Sequence, residues 1–209
     1  MTAQERAQIV LKELNKLYPQ IPPVPLKHSN PWELLVSVIL SAQCTDKKVN
    51  EVTEKLFKKY PKLEDYVHAN PTEFERDIHS TGFYKNKTKS VLGAAKILHE
   101  KFKGKVPDTM EELLTLPGVA RKTANVVLGI VYGHVEGVVV DTHIKRLSLK
   151  FSLTQQQSPE KIEQDLMKLL PQKEWWGFAS RLKHYGQDYS PARKFEDSSD
   201  PISVRLGKE

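Results

Sequence analysis

Two side chains in this sequence have the type and setting for chemistry, one as an amine nucleophile and one as a held carboxylate. The first is Lys122, in the stretch LLTLPGVARKTANVVL from Leu113 to Leu128. The stretch reads as two short helices joined by a Pro-Gly turn, with Lys122 in the first turn of the second. A helix start presents unpaired N–H groups and partial positive charge. It suits an anion such as a phosphate and disfavours an ammonium beside it, as does Arg121 next door. A neutral amine so favoured is a nucleophile. The competing reading is a surface lysine whose head reaches water. The second side chain is Asp141, after Val138-Val139-Val140 and before Thr142-His143. An aspartate there is an ordinary helix N-cap. The same carboxylate, held ionised by backbone N–H groups, could stabilise positive charge on a ring or act as a base.

The elements that must position these residues read as helices almost throughout. Residues 2–18 carry Ile9, Leu11, Leu14 and Leu17 on one face, with Thr2 as a candidate cap. Pro19, Pro22, Pro23 and Pro25 make an extended link. Asn30-Pro31 starts a helix whose Trp32–Leu40 run is apolar all round and so predicts burial on every side. Thr45 or Asp46 caps the next, with Val49, Val52, Leu56 and Tyr60 inward. Short helices are expected near 62–68 and 71–79, then a turn Thr81-Gly82-Phe83-Tyr84, then a longer helix near 86–103 ended by Gly104. Asp108 with Glu111 predicts a cap for the first central helix, and the second ends near Gly133. Val138 to Val140 is a short strand or a buried link. Helices opening at Asp141 and Ser158-Pro159 follow, and a last clear one runs from Glu174 to Tyr185 with Gly186 closing it. Trp32, Trp175 and Trp176 are expected in the core, and the tail from Tyr189 onward as loop, partly disordered. The expected fold class is all-α, with about ten helices and short connections.

LPGVARKTANVVL followed by VVVDTHIKRL resembles the helix–hairpin–helix DNA glycosylases, most closely the endonuclease III-like glycosylase/AP lyases. SAQCTDKKVN (41–50) and TGFYKNK (81–87) are similar to the same family's other landmarks, in the same order. The resemblance runs from about residue 30 to 194. It implies that Lys122 is the nucleophile that forms a Schiff base at C1′ of a damaged nucleotide and that Asp141 is the essential carboxylate. It implies that Gln43 fills the space left by a flipped base and that Phe83 is a wedge. The backbone of Gly118 and Ala120, with Arg121, would grip phosphate in a helix–hairpin–helix at about 109–132. His143, Arg193 and Lys194 would touch phosphate. Physical logic agrees, since a base must leave the stack before it can be excised and a bulky side chain on a tight turn can wedge neighbouring bases apart. The competing readings are a buried amide at Gln43, a buried aromatic at Phe83 and solvated charges at Arg193 and Lys194. The implied architecture is a helical barrel domain over 22–134 and a second domain from 1–21 plus 135–209, with the active site in a cleft between them. The implied activity is removal of oxidised pyrimidines from duplex DNA, followed by strand cleavage. A monofunctional mismatch glycosylase of the same fold, and a non-catalytic DNA-binding helix–hairpin–helix protein, are the alternatives.

The sequence departs from the family at two places. Many members end in four cysteines that hold a [4Fe–4S] cluster; here the region reads HYGQDYSPARKFEDSSD, with Ser190 where the first ligand would stand. Cys44 is the only cysteine, so no disulfide and no cysteine-held metal cluster is possible, and no cofactor is expected. Packing around Tyr185, Tyr189 and Phe195 is expected to hold this loop instead. The family's Gly-Val-Gly hairpin is here Gly118-Val119-Ala120. Either Ala120 needs a positive φ, which costs alanine about 1 kcal/mol, or its methyl takes room from a phosphate. The balance of 32 Lys+Arg against 26 Asp+Glu, net +6, fits an anionic partner such as duplex DNA with damaged or abasic sites. No apolar run is long enough to span a membrane, and the N-terminus lacks the pattern of a secretory signal. A cytoplasmic, nucleoid-associated monomer is expected.

Overall fold

A computed structural model describes residues 1–194 and 198–207, without the side chain of Lys194. Twelve α-helices occur among the described residues, and no strand. In chain order they are α1 (Ala3–Leu17), α2 (Pro31–Leu40), α3 (Asp46–Lys59), α4 (Leu63–Val67), α5 (Pro71–Ile78), α6 (Tyr84–Phe102), α7 (Met110–Leu114), α8 (Arg121–Val127), α9 (Thr142–Lys150), α10 (Pro159–Leu169), α11 (Trp175–Asp188) and α12 (Pro201–Gly207). The chain divides into two compact units: the continuous stretch Val24–Gly133, and Met1–Pro23 together with His134–Glu209.

The helices start where short polar side chains satisfy the first N–H groups. Thr2 accepts from Glu5 N–H at 3.2 Å while Glu5 accepts from Thr2 N–H, a full capping box. Asn30, Asn70 and Ser158 cap α2, α5 and α10, each with proline in the first turn. Each such cap contributes about 1 kcal/mol.

In the continuous unit, α2 is buried along its whole apolar run from Leu34 to Leu40, as its all-round pattern requires. The same buried cluster takes in Val49, Val52 and Leu56 of α3, Val91, Ala94, Ala95 and Leu98 of α6, and Leu113 and Val127 of the central pair. The cap of α7 is Thr109, which accepts from Glu112 N–H at 3.3 Å, rather than Asp108 with Glu111. Both pairs have the same spacing. The hydroxyl wins because it lies next to the apolar Met110 that the helix buries. After α8 the chain continues as a π turn, Leu128–Tyr132, and leaves through Gly133.

In the other unit, α1 buries Ala7, Val10 and Leu14 against α10, α11 and α12. Val138 to Val140 is a link rather than a strand, with Val138 buried. Gly186 lies inside α11 instead of closing it. A Cβ there would lie 3.1 Å from Leu147 of α9, so this glycine marks where the two helices approach. Trp175 and Trp176 are only half-buried, unlike Trp32. The tail differs most from expectation. It folds into α12, which buries Ile202 and Leu206. Asp200-Pro201 repeats the cap-plus-proline start used at α2 and α5.

Candidate active site and nucleic-acid interface

Three of the sequence-derived site elements converge on α6. Phe83 precedes it in a left-handed conformation, φ 49° and ψ 27°, after Gly82 at φ 71°. The ring is 61% exposed, so Phe83 is not a core aromatic. An exposed phenyl on a tight turn has the form of a wedge. Tyr84 behind it is held against His79, ring centroids 4.5 Å apart. Gln43, on the turn after α2, is likewise exposed and left-handed, φ 52°. It is not a buried amide.

The hairpin turn is seated on the same helix two turns further on. Gly118 has φ 77°, and a Cβ there would fall 2.5 Å from Ser90 Cβ. Gly93 leaves room for Pro117, whose Cγ would be 3.2 Å from a Cβ at 93. Ala120 has φ −95° and ψ 169°, extended backbone that any residue adopts, and it is the N-cap of α8 without a side-chain bond. The question left open by the sequence is thereby answered: alanine at 120 carries no left-handed strain. Arg121 and Lys122 are the first two residues of α8, and both are exposed.

The second group of site residues belongs to the other unit. Asp141 caps α9, its Oδ1 accepting from His143 N–H at 2.8 Å and Ile144 N–H at 2.9 Å. Its Oδ2 lies 3.5 Å from Nδ1 of the His143 ring. The cap therefore fixes the carboxylate's rotamer through one oxygen and leaves the other on the imidazole side. Arg193 is exposed on a 3₁₀ turn, Ala192–Lys194; the side chain of Lys194 and the whole of Phe195 lie outside the described residues.

A buried polar network, not anticipated from the sequence, occupies the region where the family resemblance would put a metal cluster. Ser190 is 1% exposed. Its Oγ accepts from Lys150 Nζ at 3.0 Å, and its carbonyl accepts from Arg146 Nη2 at 2.5 Å. Lys150 also pairs with Asp200 Oδ2 at 2.8 Å, their side chains being 8% and 3% exposed. Asp200 further accepts from the Tyr185 hydroxyl, from Ser203 N–H at 3.0 Å and from the Ser203 hydroxyl at 2.7 Å. Burial pushes the Asp200 carboxyl up, but the bonds from Lys150, Tyr185 and Ser203 outweigh it and hold the group below its ordinary value. Tyr185 stacks on Tyr189, centroids 5.2 Å apart. A hydroxyl, an ammonium and a carboxylate already bonded to one another are not a donor set for iron and sulfide. Among the described residues no group of three His, Cys, Asp or Glu side chains could hold a metal ion, and the iron–sulfur cluster does not fit. One signal for this network was present in the sequence: the Asp200-Pro201 helix start, which fixes an acid at that point.

Comparison with known proteins places these features in context. Residues 36–172 match the family model described as HhH-GPD superfamily base excision DNA repair protein. The chain is 50% identical to the endonuclease III of Synechocystis sp. over 91% of its own length and 87% of that protein's. It is 41% identical to the endonuclease III of Bacillus subtilis, over 85% and 81%. Among solved structures, it is similar to a trapped endonuclease III–DNA covalent intermediate in an estranged-adenine complex, at TM-score 0.89 and 38% identity, covering 99% of this chain and 96% of that one. A non-covalent endonuclease III–DNA complex gives TM-score 0.89 and 36% identity over the full length of both. A thermostable thymine-DNA glycosylase, 21% identical at TM-score 0.78, shares the fold.

Proposed function

The chain belongs to the HhH-GPD superfamily of base excision DNA repair proteins, and from that premise we propose that it is a bifunctional DNA glycosylase and AP lyase acting on oxidised pyrimidines in duplex DNA. The observation that carries this reading is the exposed primary amine of Lys122, one residue into a helix that starts behind the Gly118 turn. A helix start of this kind offers N–H groups to a backbone phosphate, and a DNA strand held there brings its sugars to the amine.

In the proposed reaction the flipped nucleotide presents C1′ to the amine of Lys122. The nitrogen forms a bond to C1′ as the N-glycosidic bond breaks, and the departing base takes a proton from solvent. Asp141 supports the positive charge that develops on the sugar and accepts a proton from the attacking nitrogen. Ring opening gives a Schiff base. That imine acidifies the C2′ proton; its loss expels the 3′ oxygen and cuts the strand 3′ to the lesion. Phe83 and Gln43 occupy the stack that the flipped nucleotide has left. Arg121, Gly118, Ala120, His143, Arg193 and Lys194 are assigned to phosphate contact. No cofactor takes part: one cysteine cannot supply four thiolates, and the Ser190 network supports the C-terminal loop in a cluster's place. The setting is the nucleoid of the cytoplasm; no helix among the described residues is long and apolar enough to cross a membrane.

Borohydride trapping tests the reading. Wild-type protein is expected to form a reduced covalent adduct with duplex DNA containing thymine glycol, and Lys122→Ala to form none. An undiminished adduct in that variant would remove Lys122 from the mechanism. Release of free base without strand cleavage would identify a monofunctional enzyme instead.

A further inference from the structure

Lys87 lies on α6, and the reaction proposed above does not use it. It is 5% exposed. Its Nζ donates to the carbonyl of Leu40 at 2.8 Å and to the carbonyl of Thr81 at 2.7 Å. Leu40 is the last residue of α2, three before Gln43; Thr81 is two before Phe83. Among the described residues only four non-glycine positions have positive φ, and Gln43 and Phe83 are two of them. A left-handed backbone at a non-glycine residue is disfavoured and persists only when surrounding bonds hold it.

We propose that Lys87 is a positioning residue: its ammonium ties the turn carrying Gln43 to the turn carrying Phe83, and so sets the separation of the two side chains that enter the base stack. The inference rests on the role given to Gln43 and Phe83 above. A lysine put at this depth loses its hydration, and burial accordingly holds its pKa below the ordinary lysine value. Two well-formed bonds to carbonyls offset that cost. The Leu40 carbonyl lies at the negative end of α2, where a cation is favoured. A simple C-terminal cap would explain that bond alone. It does not explain the second, to a carbonyl forty-one residues later in the chain, in the other turn. The ammonium thus acts as a pin through two loops that have no sequence proximity. It is carried by the same helix that seats the hairpin at Ser90 and Gly93.

The test is amide hydrogen exchange of the full-length protein, free of DNA, with Lys87→Met beside wild type. Loss of the pin leaves two carbonyls unbonded, worth about tenfold or more in the local opening equilibrium. Residues 41–46 and 79–86 are therefore both expected to exchange at least about tenfold faster, with α1 and α12 unchanged. Strand cleavage of thymine glycol duplexes is expected to fall by a similar factor, while borohydride trapping on a single-stranded abasic oligonucleotide, which has no stack to open, stays as in wild type. Lys87→Arg, which keeps a cationic donor head, is expected to recover some of each. Unchanged exchange in either turn, or equal loss on duplex and single strand, would overturn the proposal. Should Lys87→Met fail to fold, the lysine ammonium signals of isotope-labelled wild type replace it. A Lys87 signal protected from water and opening at the rate of both turns upholds the pin; one lost to solvent exchange overturns it. A wild type that neither cleaves nor traps would defeat the proposed function, and the exchange data would still judge the pin.

Discussion

Gly118 and Ala120, two residues apart in one turn, obey opposite rules. Gly118 needs both a left-handed backbone and the absence of a Cβ, which would press into Ser90. Ala120 needs neither. Gly118→Ala is therefore expected to cost about 1–2 kcal/mol for φ alone, with a further clash against α6, and to weaken binding to a duplex carrying a stable abasic analogue. Ala120→Gly should move stability by less than about 0.5 kcal/mol, because glycine is at least as good an N-cap. Any gain in DNA affinity it brings would measure the room a methyl takes from a phosphate. Thermal melts and salt-dependent binding isotherms check both. What the sequence made legible at this scale was whatever depends on near neighbours: Asp141 as a cap, Lys122 in a first turn. The φ of Ala120 was not legible, because Gly118 absorbs the reversal and only the seat on α6 decides where it falls. The exposure of Phe83 and Gln43 was not legible either, since neither residue type states which way its turn faces.

At the level of elements, α6 holds much of the candidate interface together. Phe83 leads into it, Lys87 pins two turns, and Ser90 and Gly93 bear the hairpin. Its apolar face, with Val91, Ala94, Ala95 and Leu98, was readable from spacing. Its polar working face was not, because Lys87 and Ser90 look like a solvated flank. In the other unit the comparable element is α12, tied down by Asp200. Its folded carboxyl lies below its ordinary value, so it contributes stability above about pH 4 that is lost as pH falls through the folded value. Asp200→Asn leaves Lys150 charged and buried, at an expected cost of about 3–5 kcal/mol near neutral pH. The gap between wild-type and Asp200→Asn melting temperatures should close on acidification below about pH 4; a gap that stays constant would mean the charge is not what holds α12. The sequence concealed this because Asp200 and Lys150 are fifty residues apart and each resembles an ordinary surface charge.

For the molecule as a whole, the single cysteine and the polar network around Ser190 make a direct prediction. Protein purified aerobically should lack the visible iron–sulfur band and carry no stoichiometric iron, and dialysis against a chelator should leave its melting temperature unchanged. Iron at one cluster per chain, or melting that collapses on chelation, would contradict it. The all-helical class and the run of the helices were legible from periodicity and caps, because each needs only local information. The division into units was less so: no composition shift marks it, and its boundary is drawn by packing. That division also sets an order of events during synthesis. Val24–Gly133 is continuous and can close as soon as it is made, whereas the other unit draws on α1 before it and on residues from His134 onward. Ala7, Val10 and Leu14 leave the ribosome before Val24–Gly133, yet α10, α11 and α12, which cover them, leave after it. Val24–Gly133 must therefore form while α1, already made, is still waiting for its partners.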